Sequence, residues 1–153
     1  MQPRICLFPG TFDPITLGHV NIIRRAVGLF DKLVIGIGTN SSKQPMFSLE
    51  QRKQWMADIF RDDPRIEAVD YQGLTIDFCR KIGARYMLRG IRYVSDFEYE
   101  RGIADMNSAL APEVETIFLT SAALHATISS TLVRDVIRNG GDARQFLPEE
   151  VIY

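Results

Sequence analysis

A chain of 153 residues with 46% hydrophobic and 24% charged positions fits one globular domain, without the bias of a disordered segment or a fibre. Eighteen Lys and Arg against nineteen Asp and Glu leave a net charge of -1, which argues against a broad basic footprint for nucleic acid or an anionic membrane, so any anion site must be local. The longest strongly apolar run, residues 33–38, is far too short to span a bilayer, and the amino terminus lacks the regions of a signal peptide, so a cytoplasmic location is expected.

The chain alternates short β-rich runs with longer segments of helical period, the pattern of stacked βαβ units on a parallel sheet. Residues 4–8 read as the first strand. A helix beginning at Gly18 and His19 follows, with Val20, Ile23, Val27 and Phe30 on one side and Arg24 and Arg25 on the other. The second strand is 32–38. The second helix opens on a capping box, Ser48 with Gln51, and runs to about Phe60, with Trp55 and Phe60 assigned to the core. Strand 66–71 leads to a third helix from Leu74 that closes on Gly83, a residue suited to the left-handed turn. Strand 86–89 comes next, then a fourth helix with a second capping box, Ser95 with Glu98, continuing to Leu110 before Pro112. The fifth strand is 114–119, and the last helix runs from Ser130 to Asn139, stopped by Gly140 and Gly141. The strands' apolar content suits burial on both faces.

Right-handed crossovers leave few ways to order these strands. The expected fold is α/β, a Rossmann-like five-stranded parallel sheet of order 3-2-1-4-5 with helices on both faces, in one domain covering 1–153. In that order the loops after Phe8 and Arg89 face each other across the crevice at the carboxyl ends of strands one and four, where a ligand should bind.

Residues 8–20, Phe-Pro-Gly-Thr-Phe-Asp-Pro-Ile-Thr-Leu-Gly-His-Val, carry the chemistry. Gly10 permits close backbone approach, Thr11 offers a hydroxyl, and the helix start after Thr16 offers free amides and a positive dipole end, with His19 as a further donor. Together they form a phosphate cradle. Across the crevice, Arg89-Gly-Ile-Arg92 presents two guanidinium groups that suit phosphate or, alternatively, form a solvated pair balancing Asp96 and Glu98. Lys43 adds a possible third cation. Thr127-Ile-Ser-Ser-Thr131 is a second phosphate-ready helix start, with simple capping by Ser129 or Ser130 as the plainer reading. Walker A, the complete dinucleotide fingerprint and Gly-x-Ser-x-Gly are all absent. Cys6 and Cys79 lie in apolar segments and read as buried free thiols. With only His19 and His125, and no Cys-x-x-Cys or His-Glu-x-x-His, no protein-held metal site is expected.

The Thr16-x-Gly-His19 element and Ile128-Ser-Ser-Thr131 resemble the signatures of the nucleotidyltransferase superfamily related to class I aminoacyl-tRNA synthetases. Lys43-Gln-Pro-Met-Phe47, Arg89-Gly-Ile-Arg92, Asp96-Phe-Glu-Tyr-Glu100 and Met106-Asn107 make the whole chain similar to the bacterial phosphopantetheine adenylyltransferase family. The resemblance implies transfer of AMP from ATP to 4'-phosphopantetheine, giving dephospho-coenzyme A and pyrophosphate, with Mg2+ carried on the ATP phosphates. It further implies a homohexamer and a response to coenzyme A. Carried over by position, His19 is the transition-state stabiliser and Thr11 lies between ATP and the attacking phosphate. Phe12, Gly90, Ile91, Arg92, Glu100, His125, Ala126, Thr127, Ile128, Ser129, Ser130 and Thr131 fall where the family binds ATP. Lys43, Leu74, Thr75, Arg89 and Asn107 fall on the phosphopantetheine side. His125-Ala-Thr127 departs from relatives that carry an aromatic residue there. Rival readings are a transferase using another acceptor, such as nicotinate mononucleotide or glycerol phosphate, and a nucleotide-binding regulator on the same fold.

Overall fold

The structure, a computed structural model, describes residues 1–39 and 44–153. Five parallel strands lie in the order β3-β2-β1-β4-β5, as the crossover rule requires. They are β1 (Ile5–Gly10), β2 (Lys32–Gly38), β3 (Ile66–Tyr71), β4 (Tyr86–Ile91) and β5 (Glu115–Thr120). The helices are α1 (Leu17–Ala26), α2 (Leu49–Ile59), α3 (Thr75–Ile82), α4 (Val94–Leu110) and α5 (Ser130–Arg138).

Alternation along the central strands sends side chains into two cores. Cys6 and Phe8 of β1 join Leu33, Ile35 and Ile37 of β2 in the larger cluster, which α1, α2 and α5 cover with Val20, Ile23, Trp55, Met56 and Val133. Leu7 and Val34 point the other way, into a cluster closed by Ile76, Phe78 and Cys79 of α3 and by Ala111 and Val114. Leu7, Leu33, Ile35 and Ile37 are wholly buried, each contributing about 1.5–3 kcal/mol relative to exposure. Both thiols are buried as expected, and burial pushes Cys6 up to about 12 and Cys79 to about 11, so neither is a thiolate near neutrality.

Several local expectations change. The first helix starts earlier than Gly18, because Thr16 is its cap and His19 fills the third helical position in the capping box, where Glu or Gln is usual. Its period stops at Ala26, and Val27–Leu29 continue as a 3-10 turn. The Ser95–Glu98 box does not form. Instead the Asp96 carboxylate accepts the amides of Arg92 and Tyr93, so α4 begins at Val94. Burial on both faces holds for β1 and β2, whereas β3 and β5, at the sheet edges, are only half-buried.

The pairing register places the site. β1 pairs with β2 along six residues, from Ile5↔Lys32 to Gly10↔Ile37, but with β4 only at Cys6↔Tyr86 and Leu7↔Met87. Beyond Leu7 the two strands part, and the crevice opens at the point where the strand order reverses, as in other doubly wound sheets.

Gly83 closes α3 at φ 71°, donating to the carbonyls of Arg80 and Cys79. A Cβ there is strained, so Gly83→Ala is expected to cost about 1 kcal/mol and Gly83→Asn less, read from urea midpoints. An unchanged midpoint for the alanine variant would contradict this.

Candidate active site

Where β1 and β4 diverge, the crevice divides into two cavities of about 420 and about 310 Å³. Pro9, Gly10, Thr11 and Arg89 line both and form the wall between them. Space favours Gly10 here, since a Cβ would lie 3.0 Å from the Phe12 ring, which would have to give way.

The smaller cavity holds the anion cradle. The amino-terminal ends of α1 and α5 both reach it, through Thr16, Gly18 and His19 on one side and Ile128, Ser129 and Ser130 on the other. Neither helix has an acidic residue in its first turn, so the positive end of each dipole is uncompensated. Ser129 caps α5 through its bond from the Leu132 amide, and the Ser130 hydroxyl donates to the Pro14 carbonyl at 2.7 Å, tying this helix to the opposite loop. Capping and cavity lining therefore coexist. Arg92 lines the same cavity, bridging Asp96 at 3.6 Å and donating to the Ile128 carbonyl at 3.4 Å.

His19 is set by its neighbours. The Thr16 amide donates to Nδ1 at 3.0 Å, which leaves Nε2 to carry the proton of the neutral ring. Phe12 packs edge-on against the imidazole, with ring centroids 5.0 Å apart, and is itself 3% exposed. Burial, then the charges of Arg92 and Arg89, lower the His19 pKa to about 4. Near pH 7 the site thus presents a neutral N–H donor between two guanidinium groups.

The larger cavity is chemically different. Leu74, Ile76, Ile103, Ala104 and Leu110 give it apolar walls, while Thr75, Asn107 and Arg89 supply polar points. Tyr71 and Thr75 share a hydroxyl hydrogen bond of 2.9 Å, and Asn107 lies against the Met87 sulfur at 3.9 Å. Glu100, placed on the ATP side by position, lines this cavity instead. Its buried carboxylate takes a bidentate pair from Arg89, at 2.8 and 2.7 Å, and the third Arg89 donor reaches the Pro9 carbonyl at 2.8 Å. The guanidinium is therefore aimed by Glu100, not by the surface acids Asp96 and Glu98. Arg92, in contrast, does pair with Asp96.

Other expected residues stand further off. Ile91 is buried and lines neither cavity, and Thr131 turns towards Arg134, its hydroxyl accepting at 3.3 Å. His125, Ala126 and Thr127 line neither cavity. The backbone carbonyl of His125 approaches Gly18, and its Nδ1 is a buried atom without a hydrogen-bond partner among the described residues. Lys43 lies outside the described residues.

Two residues that sequence reasoning passed over hold the loop in place. Asp13, 4% exposed, accepts the Met46 and Phe47 amides at 2.8 and 2.9 Å. Arg52, equally buried, donates to the Thr11 carbonyl at 2.7 Å. A signal existed: Arg52 shares a helical face with Trp55, Met56 and Ile59, and a lone arginine on an apolar stripe marks a buried charge.

The His19 shift has a consequence for stability. In the unfolded chain the ring takes its proton near its ordinary value of 6.5, and in the folded chain only at about 4. Between those values the unfolded state binds more protons, so this contribution is complete above pH 6.5 and lost as pH falls towards 4. His19→Gln, which keeps an acceptor for the Thr16 amide, should flatten the dependence. Urea unfolding at pH 7.5, 6 and 5 checks it, and parallel curves for the two proteins would refute it.

A model of the cytidylyltransferase-like family matches residues 7–136. A phosphopantetheine adenylyltransferase of Flavobacterium psychrophilum is 52% identical over 148 residues, covering 97% of each chain. Those of Flavobacterium johnsoniae and Lachnoclostridium phytofermentans are 49% and 42% identical over 97% of this chain, and over 97% and 91% of their own. Among solved structures, a bifunctional NMN adenylyltransferase/ADP ribose pyrophosphatase from Francisella tularensis matches 95% of this chain with a TM-score of 0.73 at 21% identity. The same protein complexed with AMP and a manganese ion matches with a TM-score of 0.70 at 20% identity. This chain spans 45% and 44% of the length of those two chains, and that likeness is one of fold. Full-length identity near one half, on a cytidylyltransferase-like sheet split at its switch point, shows that the chain belongs to the phosphopantetheine adenylyltransferase family.

Proposed function

We propose that this chain transfers the adenylyl group of ATP to 4'-phosphopantetheine, releasing pyrophosphate and forming dephospho-coenzyme A in coenzyme A synthesis. The observation that carries the reading is the pair of unlike cavities meeting at Thr11 and Arg89. The smaller one, with two helix ends and His19, suits a triphosphate. The larger, apolar with amide and hydroxyl points, suits a pantetheine arm whose phosphate reaches the shared wall.

The acceptor phosphate is already ionised near neutral pH, so its oxygen attacks without a general base. A bond forms from that oxygen to the α-phosphorus as the bond to the bridging oxygen of the β-phosphate breaks, and the electron pair leaves on pyrophosphate. No proton has to move. The protein's work is to hold two anions in line and to stabilise the charge on the equatorial oxygens. His19 Nε2–H and the α1 and α5 amides supply the second. Arg89, oriented by Glu100, and Arg92 supply counter-charge, and Thr11 stands between the reactants. Mg2+ would enter as a companion of the triphosphate, where it would neutralise phosphate charge; among the described residues no group of three His, Cys, Asp or Glu could hold a metal ion.

Assembly is part of the proposal. Of the 17 residues of α4 only Glu100 is buried, while Tyr99, Met106 and Leu110, which helical spacing puts on one face, are exposed, an apolar strip that a second copy would cover. A homohexamer fits that face, and coenzyme A, sharing the pantetheine arm, fits the acceptor cavity as a feedback ligand. No helix among the described residues is long and apolar enough to cross a membrane, and we place the enzyme in the cytoplasm.

Incubation with Mg-ATP and 4'-phosphopantetheine should yield pyrophosphate and dephospho-coenzyme A in equal amounts. Turnover only on another acceptor, such as nicotinate mononucleotide, would replace the assignment. His19→Ala should lower kcat about 100- to 1,000-fold with ATP affinity little changed. Weakened ATP binding at an unchanged kcat would remove its transition-state role. For assembly, light scattering should give six times the 17.4 kDa chain mass, reduced by Met106→Glu. A monomeric wild type would exclude the hexamer.

A further inference from the structure

Among the described residues the buried polar or charged side chains are Asp13, Thr16, Arg52 and Glu100. Thr16 and Glu100 already have work, in capping α1 and aiming Arg89. Arg52 has none in the reaction, although it is a charged group at 4% exposure that bridges no carboxylate. Among the described residues all of its hydrogen bonds go to backbone carbonyls: Thr11 at 2.7 Å, Phe47 at 3.1 Å and Ser48 at 3.4 Å. Burial lowers its pKa and the charge of Asp13 opposes that shift, so the guanidinium remains charged.

The first of those carbonyls belongs to the residue that stands between the two cavities. The next residue, Phe12, has φ 49°, a left-handed conformation that a bulky side chain adopts only when its surroundings over-determine it. The carbonyls on either side of Phe12 are both gripped. Arg52 Nη1 holds that of Thr11, and Arg134 Nη1 holds that of Asp13 at 2.8 Å. The Asp13 carboxylate completes the fixation by accepting the Met46 and Phe47 amides.

Because the peptide unit is planar and trans, the direction of the Thr11 carbonyl also sets the direction of the Phe12 N–H, which points the opposite way. That N–H has no backbone partner in the described residues. We propose that Arg52 is a positioning residue for adenylyl transfer, clamping the Thr11 carbonyl from behind so that the Thr11 hydroxyl and the Phe12 amide are presented at the wall between the cavities. Arg134 is the second half of the clamp. Arginine suits the task because its rigid fork reaches Thr11 and the 47–48 backbone at once, whereas a lysine ammonium is a single point of charge.

The inference rests on the proposed transfer reaction, and its test separates the two. Arg52→Gln should lower kcat about 30-fold or more with both KM values within about threefold, since misplacement near 1 Å is enough for such losses. Arg52→Lys should recover part of the rate. Ile59→Ala, which weakens the same helix without touching the loop, supplies the comparison: at a temperature below both unfolding transitions it should keep kcat within about twofold of wild type. Arg134→Gln should repeat the kcat-selective loss and decides the matter should Arg52→Gln fail to fold. Wild-type kcat in the folded Arg52 variants, or a loss that follows thermal stability as in Ile59→Ala, would overturn the positioning role alone. A wild type without turnover on Mg-ATP and 4'-phosphopantetheine would overturn the reaction itself.

Discussion

Phe12 is held in a backbone conformation that its side chain disfavours, and the grip on the carbonyls either side of it is the constraint from which the site follows. The loop leaves β1 after Gly10, passes the shared wall at Thr11, and ends at Thr16, the cap of α1. The contacts that fix it come from three elements: Arg52 from α2, Ser130 and Arg134 from α5, His19 from α1. The cradle is therefore assembled by tertiary packing. Loss of any one contact shifts the others, which is the behaviour expected where polar groups are buried and mutually satisfied.

Electrostatics divide the labour within this frame. A protonated histidine would add a third positive charge next to Arg89 and Arg92, and burial together with those charges opposes it. The ring is neutral and its N–H is oriented, so it can stabilise growing charge without reorganising. Arg89 carries the opposite logic. Its bidentate pair with the buried Glu100 carboxylate compensates much of its charge and fixes its plane, leaving an aimed donor rather than a free cation at the wall. Removing Glu100 would leave a looser guanidinium at the wall, and removing Arg89 would strand a buried carboxylate.

Much of this was legible in the residues. Strand order followed from βαβ alternation, and the crevice from strand order. Ser48 with Gln51 and the turn at Gly83 form where local chemistry favours them, because neither competes with a tertiary contact. Ser95 with Glu98 has the same local pattern but loses to Asp96, which satisfies two amides at the strand end and moves the helix start back. Glu100 pairs with Arg89 from the next element, 11 residues away, a contact that no local pattern marks. The roles of Asp13 and Arg52 depend on contacts 33 to 41 residues apart, which no local window contains. Only the apolar stripe around Arg52 betrayed it.

The same geometry bears on whether the adenylyl group passes through the enzyme covalently. A nucleophile would have to stand at the shared wall and be activated there. Of Pro9, Gly10, Thr11 and Arg89, only Thr11 has a candidate hydroxyl, and the one lone pair of the His19 ring, on Nδ1, is occupied by the Thr16 amide and hydroxyl. Both cysteines are buried away from the wall as protonated thiols. The acceptor phosphate of the proposed transfer, already ionised near neutral pH, is a better nucleophile than anything the wall supplies. Direct transfer across Thr11 therefore needs no activated side chain, and it explains why the polar groups buried around the loop are built for position rather than for proton transfer.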